Sequence, residues 1–315
     1  MVVFMSKFIL KVLEDIKEEL GISYEVLSNN WVIKITKENN SIFITDYKFP
    51  LNNHSIGMIL DDKYALYEAL KSANIKVTEY NLLYSSNNKS EYAINYNDYY
   101  KVTQYFEKNN NHIVIKVNNG TCGNGVYEIR EKKDIIPLLS KMFLNNYSIS
   151  YSPYYDIETE YRVIVLNKKV KVVYGKKRPI VYGDGKTSIR DLLLKFNRKY
   201  FIDKLNDSIY DEVIPKNKKF IYDWKFNLSK GSVAFQVNDK KLIGNLEVIA
   251  LECVNKLNLD FVSVDIIKTT RNELYVLEIN SGVMMENYIN FFKDGYEKVK
   301  DIYKEAIIKS FEAIK

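Results

Sequence analysis

Late in the chain stand two strongly apolar runs, FVSVDII from Phe261 and LYVLEIN from Leu274, with a short polar turn at Thr270 to Glu273 between them. Runs of this length and β-branched content, bounded by a turn, read as two paired strands in the core of a sheet. Such a hairpin has little room for ionised groups, because burying a charge without compensation is costly. It nevertheless contains Asp265, Glu278 and Asn280. Residues two apart on a strand share a face, so Glu278 and Asn280 point the same way. Pairing through the turn then brings Asp265 beside them. Two carboxylates and one amide oxygen are hard donors, suited to Mg²⁺ that retains waters and phosphate oxygens. The alternative is a solvated polar face, which the apolar flanks argue against.

Upstream, helical and strand patterns alternate without an internal repeat. The opening MVVFMSKFILKVLEDIKEEL carries charges every three or four residues and no small-residue cleavage site. It reads as a packed amphipathic helix rather than a secretory signal. Tyr24 to Leu27, Trp31 to Thr36 and Ser41 to Asp46, separated by Asn-rich turns, predict a small antiparallel meander. LDDKYALYEALKSANI has helical spacing, KVTEY reads as a strand, and a further helix is expected near Tyr99 to Glu107. HIVIKV is a buried strand that runs into NNGTCGNGV. EYRVIVLNKKVKVVYG is two alternating runs joined at Asn167-Lys168, a hairpin signal. IRDLLLKFN is helical, Asp203 to Lys219 is a polar excursion, KLIGNLEVIALECVNKLN is an amphipathic helix, and a last helix runs from about Asp294 to Lys315. The fold class is α+β, and 315 residues suffice for two lobes.

Charge and cysteine content exclude several classes. Lys and Arg number 46 against 40 Asp and Glu, a net +6 that is too small a surplus for a nucleic-acid binder and adequate to attract an anionic small ligand. No apolar run approaches the roughly 20 residues that span a bilayer, so no membrane partner is expected. Two Cys and two His do not build a conventional zinc site, and a reducing, cytoplasmic compartment follows most simply. Cys122 reads as a small loop filler and Cys253 as core. His54 and His112 follow no ligand spacing, and Lys216 to Lys219 read as a solvated run.

The loop after HIVIKV carries the second chemical signal. Gly120, Gly123 and Gly125 let backbone N–H groups approach an anion without a Cβ clash. Lys116, on the strand before it, brings an ammonium near the same place. Alone this is an ordinary glycine loop; with a strand lysine and a metal set it becomes a phosphate cover.

Taken together, LDDKYALYEALKSANIKV, IKVNNGTCGNGV, EYRVIVLNKKVKVV, KKRPIVYGDGKTSIRDLL, NLSKGSVAFQV and VSVDII…YVLEIN resemble the ATP-grasp superfamily. The likeness covers roughly residues 24 to 290. It is greatest to the ATP-grasp module of cyanophycin synthetase and the fused glutathione synthetases, with RPIVYGDGKTSI and NLSKG its most specific parts. The resemblance implies two α+β lobes gripping ATP, with a short N-terminal helix and antiparallel strand segment. Residues 1–60 would be that N-terminal segment. Residues 61–155 would be the small lobe with the glycine loop, and 156–315 the large lobe with metal and acceptor sites. It also implies roles. Lys63, Lys116, Gly120, Gly123 and Gly125 would hold the ATP phosphates, the stretch around Tyr151 would read adenine, and Glu160 would accept from the ribose. Asp265, Glu278 and Asn280 would hold two Mg²⁺ ions, with Mn²⁺ an alternative. Arg162 and Arg178 would face the transferred phosphoryl group, and Asn227, Ser229 and Gly231 would line the acceptor side. Pro153 stands where the family has a hinge glutamate, and Lys230 and Ser232 where Thr and Gly are usual.

The activity so implied is a carbon–nitrogen ligase that produces ADP. An acyl phosphate formed on an amino acid or peptide carboxylate would be attacked by an amine. Two alternatives share the fold: an ATP-binding regulatory relative and an ATP-grasp kinase. Small-molecule or peptide substrates are the expected partners, and homo-oligomers are usual among relatives.

Overall fold

The computed structural model describes residues 7–314 except 87, 89, 92, 94–97 and 122, so the expectation for Cys122 lies outside the described residues. The chain opens with α1 (Lys7–Leu20) and the meander β1 (Ser23–Leu27), β2 (Val32–Lys37) and β3 (Asn40–Thr45). Alternation sets its buried side: Ile33, Ile35, Ile42 and Ile44 are buried, while Phe43 between the last two is exposed. Two helices follow, α2 (His54–Asp61) and α3 (Lys63–Ser72). Asp62 caps α3, its Oδ1 accepting from the Ala65 N–H at 2.8 Å, which satisfies a donor the helix leaves open.

The small lobe is the four-stranded sheet β4 (Asn81–Tyr84), β7 (Ser148–Pro153), β5 (Ile113–Val117) and β6 (Val126–Ile129), in that spatial order. Helices α4 (Tyr99–Lys108) and α5 (Ile135–Met142) cover one face of it through Val102, Phe106, Ile135 and Leu139. The expected strand KVTEY is instead a crossing between sheets. Val77 bridges Val276 of the large lobe in parallel, and regular pairing begins only where Asn81 reaches Tyr151.

The large lobe is a five-stranded antiparallel sheet ordered β12 (Val233–Gln236), β9 (Lys169–Lys177), β8 (Ile157–Leu166), β13 (Phe261–Thr269) and β14 (Leu274–Asn280). One face carries Val163, Val165, Val262, Val264, Ile266 and Ile279, and packs on α7 (Lys240–Lys256) and also on Leu66 and Leu70 of α3. On the other face, Ile164, Leu166, Val172, Tyr174 and Phe261 lie under α1, the meander and α9 (Gly295–Glu312), with α8 (Glu286–Phe291) alongside. Between β9 and β12 the chain makes a separate small unit of β10 (Ile180–Tyr182), α6 (Ile189–Phe201) and β11 (Lys219–Ile221). Its own core is Val181, Ile189, Leu193, Phe201 and Leu205. The polar excursion expected at 203–219 is therefore folded back, with Tyr210 and Ile214 against that core and the Ile189 N–H bonded to the Glu212 carbonyl.

Leu70 is fully buried where α3 meets the large sheet. Leu70→Ala is expected to cost about 2–5 kcal/mol of unfolding free energy, the range for a buried leucine whose cavity does not collapse. Urea unfolding checks this, and a loss below about 1 kcal/mol would show that α3 is not docked as described.

Candidate active site

The site-bearing face of the large sheet is apolar at one end and ionic at the other. Register places Arg162 of β8 across from Asp265 of β13, Glu160 of β8 across from Lys176 of β9, and Glu278 of β14 across from Asp265. The Arg162 guanidinium donates to both oxygens of Asp265, Nε to Oδ1 at 2.7 Å and a terminal nitrogen to Oδ2 at 2.6 Å. Lys176 Nζ donates to Asp265 Oδ1 at 3.1 Å and also to Glu160 Oε1. Asp265 is 1% exposed and Lys176 4%. Charges this deeply buried persist only when paired and hydrogen-bonded, and removing one partner of such a pair costs about 3–5 kcal/mol.

Two β-bulges create this arrangement. In the β8–β9 hairpin the pairing slips at Lys171, so that Ile164 pairs with Val172 where Val165 pairs with Val170. Without the extra residue Glu160 would face Gly175, and Lys176 would point to the other side. In β14 the pairing slips at Leu277. Val276 thereby turns into the core beside Ile266 while Glu278 turns toward Asp265, although the two are only two residues apart. Asn280 follows on the same face, its amide 3.2 Å from Glu278 Oε1.

Electrostatics separates the two buried carboxyls. Burial pushes Asp265 up, but Arg162 and Lys176 more than reverse this and hold it well below the usual carboxylate range. Burial also pushes Glu160 up, and there Lys176 opposes the shift without cancelling it. Burial and the nearby Arg162 disfavour the charged Lys176, and Asp265 and Glu160 outweigh them to raise its pKa. Asp265 is thus the firmly ionised member.

In the small lobe, Lys116 pairs with Ser150 on the face opposite to α4 and α5, and its Nζ donates to the Tyr80 hydroxyl at 2.8 Å. Tyr151 lies on the helix-covered face, its ring edge-on to Tyr105 at 5.1 Å and its hydroxyl pushed by burial to about 12. The side chains of that strand on the Lys116 face are Ser148, half-buried, and Ser150 and Ser152, both buried. Gly123 and Gly125 each adopt φ near +64°, and a Cβ on Gly125 would lie 2.5 Å from Val117 Cγ2. Gly120 has an ordinary φ, with its Cβ position 3.0 Å from Val117 Cβ. A buried asparagine anchors the loop. Asn118 accepts from the Tyr64 N–H at 3.1 Å and donates to Asp62 Oδ2 at 2.6 Å, while Lys63 Nζ donates to the Asn118 and Gly120 carbonyls.

The acceptor-side loop meets the glycine loop directly. Lys230 Nζ donates to Asn124 Oδ1 at 3.0 Å, and Lys225 Nζ to the Gly123 carbonyl at 3.4 Å. Asn227 caps the short turn by accepting from the Ser229 N–H and hydroxyl, at 2.9 and 2.8 Å. Gly231, at φ +98°, leaves no room for a Cβ against the Tyr200 and Phe201 rings. Asn197, a non-helical residue inside α6, donates to the Gly231 carbonyl at 3.1 Å and so ties the inserted unit to this loop. Arg178 donates to the Ile157 carbonyl at 2.8 Å and lies 4.8 Å over the Phe226 ring, beside Asn227.

Apart from Lys116 and Tyr151, which lie on opposite faces of the small sheet, the expected residues fall into three places. Arg162, Glu160, Asp265, Glu278 and Asn280 share one sheet face. Lys63, Gly120, Gly123 and Gly125 belong to the glycine loop and its anchor. Arg178, Asn227, Ser229 and Gly231 line the loop that meets it. Sequence reading missed Lys176 and Asn118. Alternation alone gives Lys176 the wrong partner, and Asn118 is one Asn of a common Asn-Asn pair. The donor set fits a hard cation with phosphate. Among the described residues no three His, Cys, Asp or Glu side chains group as a metal site, so the set relies on two carboxylates and an amide oxygen. The buried hydroxyl of Ser150, in register with Lys116, has no protein partner and is free to bond a ligand.

The chain has the ATP-grasp fold, α+β in class, as its likeness to solved structures shows. Residues 208–294 match the RimK-like ATP-grasp domain. No curated protein matches by sequence. Among solved structures the chain is similar to a bifunctional glutathione synthetase from Pasteurella multocida, with 16% identity and TM-score 0.54 over 94% of this chain and 44% of that one. It therefore spans less than half of that relative. It is also similar to a D-alanine–D-alanine ligase from Bacillus anthracis, with 15% identity and TM-score 0.53 over 81% and 70%. A third likeness is to a RiPP-associated ATP-grasp ligase from Chryseobacterium gregarium, solved with ADP and a leader and core peptide, with 12% identity and TM-score 0.51 over 95% and 94%. No helix among the described residues is long and apolar enough to cross a membrane.

Because the folded-state pKa of Asp265 is depressed, its ion pairs stabilise the protein above the unfolded carboxyl pKa of about 4 and are lost as pH falls below it. Asp265→Asn should therefore show a shallower decline in unfolding free energy between about pH 4 and pH 2 than the wild type. Urea titrations across that range measure it; parallel curves would mean that Asp265 is not held ionised.

Proposed function

We propose that this chain is an ATP-dependent carboxylate–amine ligase working through an acyl phosphate, with an amino acid or peptide as substrate. The observation that carries the reading is the ionic group on the large sheet: a buried aspartate in register with Glu278, under an arginine and a lysine. A ligase needs such a place, where cations gather around a group that passes negative charge from ATP to a carboxylate.

In this reading Lys63 and Lys116 bind the phosphates and Glu160 orients the ribose. Asp265, Glu278 and Asn280 hold Mg²⁺, which neutralises phosphate charge when bound. Arg162 and Arg178 stabilise the transferring phosphoryl group, since a planar guanidinium matches phosphate oxygens two at a time. Lys176 keeps Glu160 and Asp265 side by side. The glycine loop, pinned to Lys225 and Lys230, shields the acyl phosphate from water until the amine arrives. The reaction ends with an amide bond, ADP and phosphate. Similarity along the full length of both chains to a ligase solved with a peptide supports a peptide substrate. A cytoplasmic setting accords with ATP as co-substrate. Pro153, which ends β7 without an N–H donor, favours the second reading, a nucleotide-binding relative that does not turn over.

ADP release against a panel of amino acids and acidic peptides, with and without hydroxylamine, tests the proposal. A hydroxamate whose formation depends on the carboxylate is the expected result. A stable phosphorylated product would make the chain a kinase, and nucleotide binding without ADP release would support the second reading. Glu278→Gln, at the half-buried rim of the group, should lower turnover about 100-fold or more while leaving the fold intact. Unchanged turnover would remove Glu278 from the site.

A further inference from the structure

Asp265, the innermost of the three expected metal donors, has three of its roughly four lone-pair directions taken by cationic side chains in this structure. Arg162 takes one lone-pair direction on each oxygen in a fork, and Lys176 takes another on Oδ1. The Arg162 side chain is 21% exposed while that of Asp265 is 1% exposed, so solvent reaches the guanidinium and not the carboxylate. A divalent cation arriving alone meets two fixed positive charges at that carboxylate, and only Glu278 and Asn280 lie outside them.

We infer that Arg162 is a placeholder for the metal, and that the cation and the polyphosphate therefore load as one unit. Phosphate oxygens offer the guanidinium an equivalent forked partner, which lets it leave Asp265 as the cation takes the carboxylate. The cation never faces Arg162 unscreened, and Asp265 is never left without a counter-charge. This rests on the ATP-site reading above and adds an order to it: metal affinity is low until nucleotide is present. By linkage, metal must raise nucleotide affinity by the same factor.

Titration calorimetry with Mn²⁺ and ADP on the intact chain tests this. Wild-type protein should bind Mn²⁺ at least about tenfold more tightly with ADP bound than without it. Arg162→Gln, which empties the fork, should bind Mn²⁺ alone about tenfold or more tightly than wild type, with the Mn²⁺–ADP coupling reduced to match. Arg162→Lys keeps the charge but only one prong, and should fall between the two. It also serves the test if the Gln variant does not fold, since an affinity equal to wild type would then overturn the inference. Adding Asp265→Asn to Arg162→Gln should abolish the gained site, which shows that the new metal sits at Asp265. Wild type that binds Mn²⁺ alone as tightly as Arg162→Gln would also overturn the placeholder role. Failure of ADP to bind any variant, with or without Mn²⁺, would instead refute the ATP-site reading, and the Mn²⁺ comparison of wild type with Arg162→Gln would still stand.

Discussion

Everything else in the large lobe is arranged around the forked pair between Arg162 and Asp265. A carboxylate at 1% exposure is tolerable only if its partners are already in place, because burial without them costs several kcal/mol. The partners come from two different strands, β8 and β9, neither of them the strand of Asp265. Strand order, register and the slip at Lys171 must therefore be right together for the buried charges to meet. The pair is in this sense both a product of the fold and a check on it.

The same face of the sheet carries an apolar half, and this is what gives the N-terminal module and α9 their place. Ile164, Leu166, Val172 and Phe261 need covering, and α1, the meander and α9 do so. The cover extends as far as Tyr174, directly across from Arg162, and the polar half begins there. The inserted β10–α6–β11 unit acts on the acceptor side in a comparable way. Its aromatic residues back Gly231, and Asn197, freed from helical geometry, reaches the loop carbonyl. Packing on the periphery thus determines where the polar surfaces are left.

Much of this could be read from the sequence. The hairpin FVSVDII/LYVLEIN follows from apolar content and turn position, but Asp265 faces Glu278 only because the pairing slips at Leu277; counted from the turn alone it would face Leu277. The glycine loop after HIVIKV was visible because the positive φ of Gly123 and Gly125 needs glycine. Two kinds of feature were hidden. The side of each residue on the strand around Tyr151 is one: the aromatic lies on the helix side, and Ser150 and Ser152 on the other. Counted from the Asn167-Lys168 turn, Lys176 points away from Glu160, so the sequence alone does not place it in the site. Only a slip elsewhere in the hairpin corrects that count, and such slips leave no mark in residue type. KVTEY failed for a similar reason: β-branched residues signal extended backbone, not the sheet it joins.

The slip at Lys171 has a wider meaning for how such chains are compared. Each residue of β9 beyond it owes its orientation to parity, one step gained along a ribbon with two sides. Aligning relatives letter by letter, with no allowance for that step, would match a cleft-facing lysine to a neighbour's outward one and leave the chemistry apparently missing. In this lobe an insertion of a single amino acid is a functional change of the same rank as a substitution, and correspondence between relatives has to be drawn by side of the ribbon before it is drawn by name.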